Sequence, residues 1–442
     1  MISGIKRMLA ASVAALAGFA SLPAHAQVEV QWWHAMPGAL GDRVNDLATK
    51  FNAEQKQYKV VPVFKGSYDE TLAAGIAAFR AKNPPAILQV FEVGTATMMA
   101  SKGAIKPVYE VMTAADKKWD PSIYVPAVAG YYTDPKGRML SLPFNASTPV
   151  FFYNKDAFKK AGVTEVPKTW RELQAALIKV QSSAATPCAF TTGWQSWVQL
   201  ETMSAWHNEP FASKGNGFEG LDAKLEMNQL MLVRHISLLS SWVKSGLFTY
   251  AGRKNEPEAK FFSGECATLT SSSAAYGNIK KNAKFDFGVA PLPYYDEYKG
   301  APFNSIIGGA SLWVMGGKKA DEYKGVARFF EFLSRPEIQA EWHQGTGYVP
   351  ITRAAYDLTV KSGYYTQNPG TDVAVKQLAG KTQAFSKGVR LGNFVQIRTI
   401  IDEELEAVWA GSKTPKQALD EAAKRGDEQL RKFEVANKGG KG

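Results

Sequence analysis

Residues 86–93, AILQVFEV, decide the fold class. Only Gln89 and Glu92 interrupt an otherwise apolar run, and near-continuous apolarity is what a strand needs when both faces of a parallel sheet are covered. Working outward, YKVVPVFKG (58–66) and VEVQWWH (28–34) read as two further strands. Between them lies LGDRVNDLATKFNAEQ (40–55), with Val44, Leu47, Ala48 and Phe51 on one helical face. Ser67 and Glu70 have the spacing of a capping box and predict a second helix. The sum is a β-α-β-α-β unit, the core of an open, doubly wound α/β sheet. Such sheets bind ligands beyond the carboxyl ends of their strands, which marks His34, Ser67, Tyr68 and Glu92.

A second strand-and-helix region starts at PFNASTPVFFYNKDAF (143–158), where small polar residues and Pro149 precede an apolar run. An extended crossover between two lobes needs that pattern, and its hydroxyls then line the groove between them. Thr169 and Glu172 predict another capped helix, and ECATLTSSSAAYGNI again ends an apolar run in hydroxyls before a helix. The rest is mostly helical, and the tail VANKGGKG is read as disordered.

Lys6 and Arg7, the apolar stretch 8–20 and Ala24-His25-Ala26 form a secretory signal with cleavage before Gln27. The chain has 442 residues and a formal charge of +11. Its bases are interleaved with acids and never form a run of five, so the charge is diffuse, and no nucleic-acid face is expected. Cys188 and Cys266 fit either a disulfide or two buried thiols. Neither has a partner at metal-ligand spacing, so no metal and no cofactor is expected.

Catalytic motifs are absent. GNGFEG (215–220) follows a polar segment rather than a strand, which refuses it as a dinucleotide loop. Ser241 to Lys244 matches S-x-x-K without its companion motifs. His34, His207, His235 and His343 have no spacing suited to metal or triad chemistry.

The sharper candidates are binding residues. Glu92 closes an apolar strand, where an unpaired carboxylate is costly to bury, so it faces either a cleft or a lysine. Arg398 falls within the apolar stripe Phe394, Ile397, Ile401, Leu405, in a helix capped by Asn393 and Gln396. Its planar fork suits a phosphate, or an internal carboxylate such as Asp402. Ser147, Thr148, Ser271–Ser273, Gly308 and Gly309 suit a phosphate cradle or ordinary helix capping. Trp194 and Trp197 suit a ligand wall or the core.

WWHAMPGALG, KGSYDETLAAGIAAFR, VFEVGTATMMAS, IIGGASLWVM, EWHQGTGYVPIT and RLGNFVQIRTIIDEELEAVW together resemble the sn-glycerol 3-phosphate-binding proteins of bacterial ABC importers, within the carbohydrate-type extracellular solute-binding proteins. The resemblance spans essentially the whole chain after residue 26. It implies a type II periplasmic-binding-protein fold: two lobes, each a mainly parallel sheet flanked by helices, closing on a ligand about a hinge. Residues 27–146 with about 302–350 would form one lobe, 147–301 with about 351–435 the other, and 436–442 a disordered tail. It further implies that Tyr68 and Glu92 meet the glycerol end. Ser147, Ser272 or Ser273, Gly309, Tyr348 and Arg398 would meet the phosphate, with Trp194 bounding the ligand's size. The expected function is non-enzymatic capture of glycerol 3-phosphate or a diester such as glycerophosphocholine in the periplasm. A monomer would hand the ligand to an inner-membrane permease with a cytoplasmic ATPase. The rivals are a sugar or oligosaccharide binder and an exported glycerophosphodiester hydrolase.

Overall fold

The computed structural model describes residues 27–438 except 102, 117 and 381. The expected signal segment and the last four residues of the tail lie outside the described residues. Among the described residues no helix is long and apolar enough to cross a membrane.

Among the described residues nine strands form two sheets. The first contains β1 (Val28–His34), β2 (Tyr58–Phe64), β3 (Ile87–Phe91), β4 (Leu142–Ser147) and β9 (Gly308–Val314), in the order β2-β1-β3-β9-β4. The second contains β5 (Pro149–Asn154), β6 (Cys188–Thr192), β7 (Cys266–Ser272) and β8 (Phe287–Ala290), in the order β6-β7-β5-β8. The chain crosses directly from β4 to β5 through the buried Thr148, whose hydroxyl meets that of Ser305. The hydroxyl-rich break before VFFYN is thus the passage between two α/β lobes.

β1, β2 and β3 pair in parallel, as the sequence pattern predicts, but both sheets are mixed rather than mainly parallel. β9 enters antiparallel between β3 and β4 after the second sheet has been built. In the second sheet only β6 and β7 run parallel, since β5 starts where β4 stops and pairs antiparallel with both neighbours. Cys188 and Cys266 are register partners on β6 and β7 and are joined in a disulfide, which settles the choice between a bridge and two thiols.

Every residue of β3 is buried, so its apolarity does reflect cover on both faces. In the first lobe Trp32 meets Phe144 edge-on and Phe329 at a tilt, and Phe144 stacks on Trp342 at 4.6 Å. In the second, Trp170, Trp242 and Phe190 form the corresponding knot. Each such ring contributes about 1.5–3 kcal/mol relative to exposure. Helix α1 (Gly38–Glu54) buries the four residues of its expected face, and α2 (Tyr68–Arg80) starts on the Ser67/Glu70 capping box. The helix Trp170–Ser182 starts on Thr169 and Glu172 in the same way.

Two local expectations fail. Asn393 opens the helix Phe394–Trp409 without a capping hydrogen bond: its backbone is left-handed, and its side-chain amide donates to Gln429 O. Residues 436–438 of the expected tail belong to the C-terminal helix Pro415–Lys438, whose last turn Asn437 and Lys438 help to close.

Candidate functional site

The carboxyl ends of β1 and β3 and the ends of β4, β7 and β9 converge on a cavity of about 320 Å³. Tyr68, Glu92, Ser147, Trp194, Ser272, Gly309, Tyr348 and Arg398 all line it. Ser273 does not. Successive strand residues point to opposite faces, so Ser272 at the end of β7 faces the cavity, whereas Ser273 turns behind it toward Val150 and Gly347. His34 also stays out, its ring nitrogen accepting from the Met36 amide.

Tyr68 is fixed by the cap beneath it. Ser67 N–H donates to Glu70 Oε2 at 2.7 Å, which holds the first turn of α2 and stacks the Tyr68 ring on Phe91, 5.2 Å away and nearly parallel. Asn145 Nδ2 donates to the Tyr68 hydroxyl at 2.8 Å. Asn145 in turn accepts from Gln89, and Gln89 accepts from the Ala35 amide. Gln89, the one polar interruption inside β3, is therefore the link between the strand ends and the site. Burial pushes the Tyr68 and Tyr348 hydroxyls up, so both are neutral donors.

Gly309 cannot be another residue. Its φ is +95°, and a Cβ there would lie 1.8 Å from the Asn145 carbonyl oxygen. The bare backbone runs beside β4, with Ser147 paired to Gly308 across the ladder. Tyr348 follows Gly347, whose left-handed backbone ends the helix Pro336–Thr346, and its ring stacks on Trp342. Ser272 Oγ accepts from the Ala274 amide just before the helix Ala275–Asn282, so the N-terminus of that helix faces the same hydroxyls. Trp194 takes a left-handed backbone held by its N–H donation to Lys254 O, and its ring lies 6.5 Å from that of Tyr68.

Arg398 is partnered by internal carboxylates, though not by the one its helix suggests. Its Nε and Nη2 donate to the two oxygens of Glu201 at 2.8 and 2.7 Å, and Nη2 also meets Glu92 Oε1 at 2.7 Å. The cluster is dry: the Arg398 and Glu201 side chains are 12% and 2% exposed. Burial works against the guanidinium's charge, but Glu201 and Glu92 more than offset it and hold its pKa up. Burial likewise pushes Glu92 up, against the pull of Arg398. The internal-carboxylate reading of Arg398 holds, with Glu201 and Glu92 in place of Asp402. Asp402 instead accepts from Gln195 at 3.1 Å, and burial pushes it up to about 7.

This geometry redistributes the roles. One guanidinium faces two carboxylates, so the cluster does not offer a free cation. The same cavity also presents neutral groups: the Tyr68 and Tyr348 hydroxyls, Ser147, Ser272 and the backbone at Gly309. The cavity's other cation, Lys254, is engaged by Asp69. Glu201 escaped the sequence reading although it carries the same signal as Glu92, a lone carboxylate inside the apolar stretch WVQLETMSAW. Glu258 and Gln89 were missed as well, while Asn145 was expected only as one of the small polar residues lining the groove. The four described histidines are buried outside the cavity, His235 hydrogen-bonded between Tyr295 and Gln199 and His343 against Thr359.

The family model for bacterial extracellular solute-binding proteins matches residues 46–372. The sn-glycerol-3-phosphate-binding periplasmic protein UgpB of Yersinia pseudotuberculosis is 57% identical over 422 residues, 95% of this chain and 96% of that one. Among solved structures, UgpB of Mycobacterium tuberculosis in complex with glycerophosphocholine superimposes with a TM-score of 0.77 at 21% identity, over 92% of this chain and 99% of that one. The cyclic alpha-maltosyl-1,6-maltose binding protein of Arthrobacter globiformis gives 0.72 at 20% identity, over 92% and 100%. These structures share the two-lobed type II fold. With two α/β lobes about one lined cavity, a family match over most of its length and a relative identical at more than half of its positions, the chain belongs to the bacterial extracellular solute-binding proteins.

Proposed function

We propose that the protein captures sn-glycerol 3-phosphate between its lobes, accepts glycerophosphodiesters such as glycerophosphocholine, and releases them unaltered to a membrane permease driven by a cytoplasmic ATPase. It acts as a periplasmic monomer, and the lobes, residues 27–146 with about 302–350 and 147–301 with about 351–435, close about the crossings between them. The observation that carries this reading is the division of the cavity into neutral donors and a carboxylate–guanidinium cluster. The ligand named for the Yersinia relative supports it.

The phosphate sits on the Tyr68 and Tyr348 hydroxyls, Ser147, Ser272 and the Gly309 backbone, beside the N-terminus of the helix Ala275–Asn282, which favours negative charge. Glu92 accepts from the glycerol hydroxyls, while Arg398, held by Glu201, orients Glu92 and donates to a ligand oxygen. Compared with the assignment implied by the family motifs, Tyr68 and Arg398 exchange ends. The reason is contact: Tyr68 bonds to Asn145 of β4, and Arg398 bonds to Glu92. Trp194 closes the ligand's carbon side.

Calorimetric titration with glycerol 3-phosphate, glycerophosphocholine and maltose, with NMR of the mixtures, tests the function. Saturable heat with the two phosphates and unchanged ligand spectra is expected. Heat with maltose alone selects a sugar binder, and free choline or glycerol selects a hydrolase.

A further inference from the structure

Glu258 is a buried acid that the foregoing reading leaves unused. It stands in the helix Pro257–Phe262, is 6% exposed, and lines the cavity beside Ser272 and Tyr348. Among the described residues its carboxyl has one hydrogen-bond partner, the Ser271 hydroxyl, which donates to Oε1 at 3.1 Å. Among the described residues it has no ion pair. The contrast with Glu92 is direct: both carboxyls line the same cavity, but only Glu92 has a guanidinium.

The surrounding elements supply no counter-charge. Glu256 precedes its helix, and Lys254 in the same loop is engaged by Asp69, while Arg253 pairs with Glu406. The strands packed against it, β6 and β7, bring hydroxyls and the disulfide. The helix Ala275–Asn282 brings Tyr276 and Asn278, with Lys280 and Lys281 in its far turn. The same cavity is lined by the neutral phenols of Tyr68 and Tyr348 and by Arg398, whose guanidinium is already shared between Glu92 and Glu201. A buried carboxylate without a cation is costly, whereas the neutral acid is a hydrogen-bond donor.

Resting on the organophosphate assignment, we infer that Glu258 meets the ligand as a neutral carboxylic acid, donating its proton in a hydrogen bond to a phosphate oxygen, so that capture is linked to protonation of this residue. An ionised Glu258 would instead place two like charges in one dry cavity. Burial pushes its carboxyl up to about 8, opposed by the Ser271 hydrogen bond and assisted by Glu256, so the donor form prevails at neutral pH.

Glycerophosphocholine is the probe, because its single phosphate charge does not change across the working pH range. Calorimetry on the unsubstituted protein is expected to give a constant affinity below neutrality and a fall approaching roughly tenfold per pH unit above the carboxyl's own titration. Buffers of different ionisation heat should then report uptake approaching one proton per ligand on the alkaline side. E258Q, whose amide donates without titrating, is expected to bind with no alkaline fall, and E258A to bind roughly tenfold more weakly at neutral pH. A flat profile without proton uptake in the unsubstituted protein overturns the inference, as does an alkaline fall that persists in E258Q. No heat with either phosphate ligand at any pH overturns the ligand assignment and this inference together. Heat without pH dependence overturns the inference alone.

Discussion

Replacing Arg398 by Met and Glu92 by Gln, singly and together, separates two roles for the guanidinium. Arg398 donates to Glu92 at 2.7 Å and is held from behind by both oxygens of Glu201. Each single replacement removes a charge-assisted hydrogen bond from the glycerol side, a loss of about 1.5–3 kcal/mol, or about 10- to 150-fold in affinity for glycerol 3-phosphate. If Arg398 works mainly through Glu92, the second replacement has little left to remove. The double variant then binds about 2–3 kcal/mol more weakly than the parent rather than about 4–5, a coupling of about 2 kcal/mol. Stability moves the same way: R398M strands two buried carboxylates, a cost of about 3–5 kcal/mol, and E92Q relieves part of it. Calorimetry on the four proteins, with urea unfolding to confirm the fold of each, supplies the cycle. Losses that add to within about 0.5 kcal/mol would refute the coupling and return Arg398 to the phosphate as an independent anchor.

Gly309→Ala forces a side chain into a φ of +95° and against the Asn145 carbonyl, so binding should vanish and stability fall by more than about 2 kcal/mol, as read by calorimetry and urea unfolding. Replacing Cys188 and Cys266 together by Ala opens a loop spanning 78 positions, and chain entropy alone sets the loss at about 4.5 kcal/mol; an unshifted urea midpoint would contradict the bridge. Asp402 is pushed up to about 7 in the folded state from an ordinary carboxylate value. Its protonated form therefore stabilises the fold at low pH, and that contribution fades as pH rises through about 7. Asp402→Asn should gain about 2–3 kcal/mol relative to the parent between pH 5 and pH 8, and an equal urea midpoint difference at both pH values would reject the assignment.

Much of the helix and strand content is legible in the sequence because its signals are local. The period of α1, the caps at Ser67 and Thr169, and the apolar run of β3 each specify one element without reference to distant residues. Antiparallel entry of β9 between β3 and β4 is not local: its apolar run fits either direction, and only the return of the chain from the second lobe decides it. The site divides in the same way. Eight of the nine expected residues line the cavity; Glu92, Ser147, Ser272 and Gly309 do so at strand ends, where the fold class itself directs them, whereas Tyr348 follows a helix and Arg398 lies within one. Ser273 fails by one position of strand alternation. The partner of Arg398 fails for a different reason: Glu201 is 197 positions away, and helix neighbours such as Asp402 were all that spacing could suggest.

The charge arrangement bears on why a carrier of this kind should hold its arginine between carboxylates. A free guanidinium 4 Å from a phosphate contributes about 4 kcal/mol at an effective dielectric of 20, for each unit of ligand charge. A dianionic ligand would gain about twice that from one residue, close to the whole of a micromolar affinity, about 8 kcal/mol. Adding five neutral donors on top would make release slow, since affinity differences fall mostly on dissociation. Engaging Arg398 with Glu201 and Glu92 removes that surplus while keeping a rigid, oriented acceptor for hydroxyls. On the function proposed above, a phosphate held by hydroxyl and amide groups would rest on contacts that each contribute modestly and can be given up one at a time.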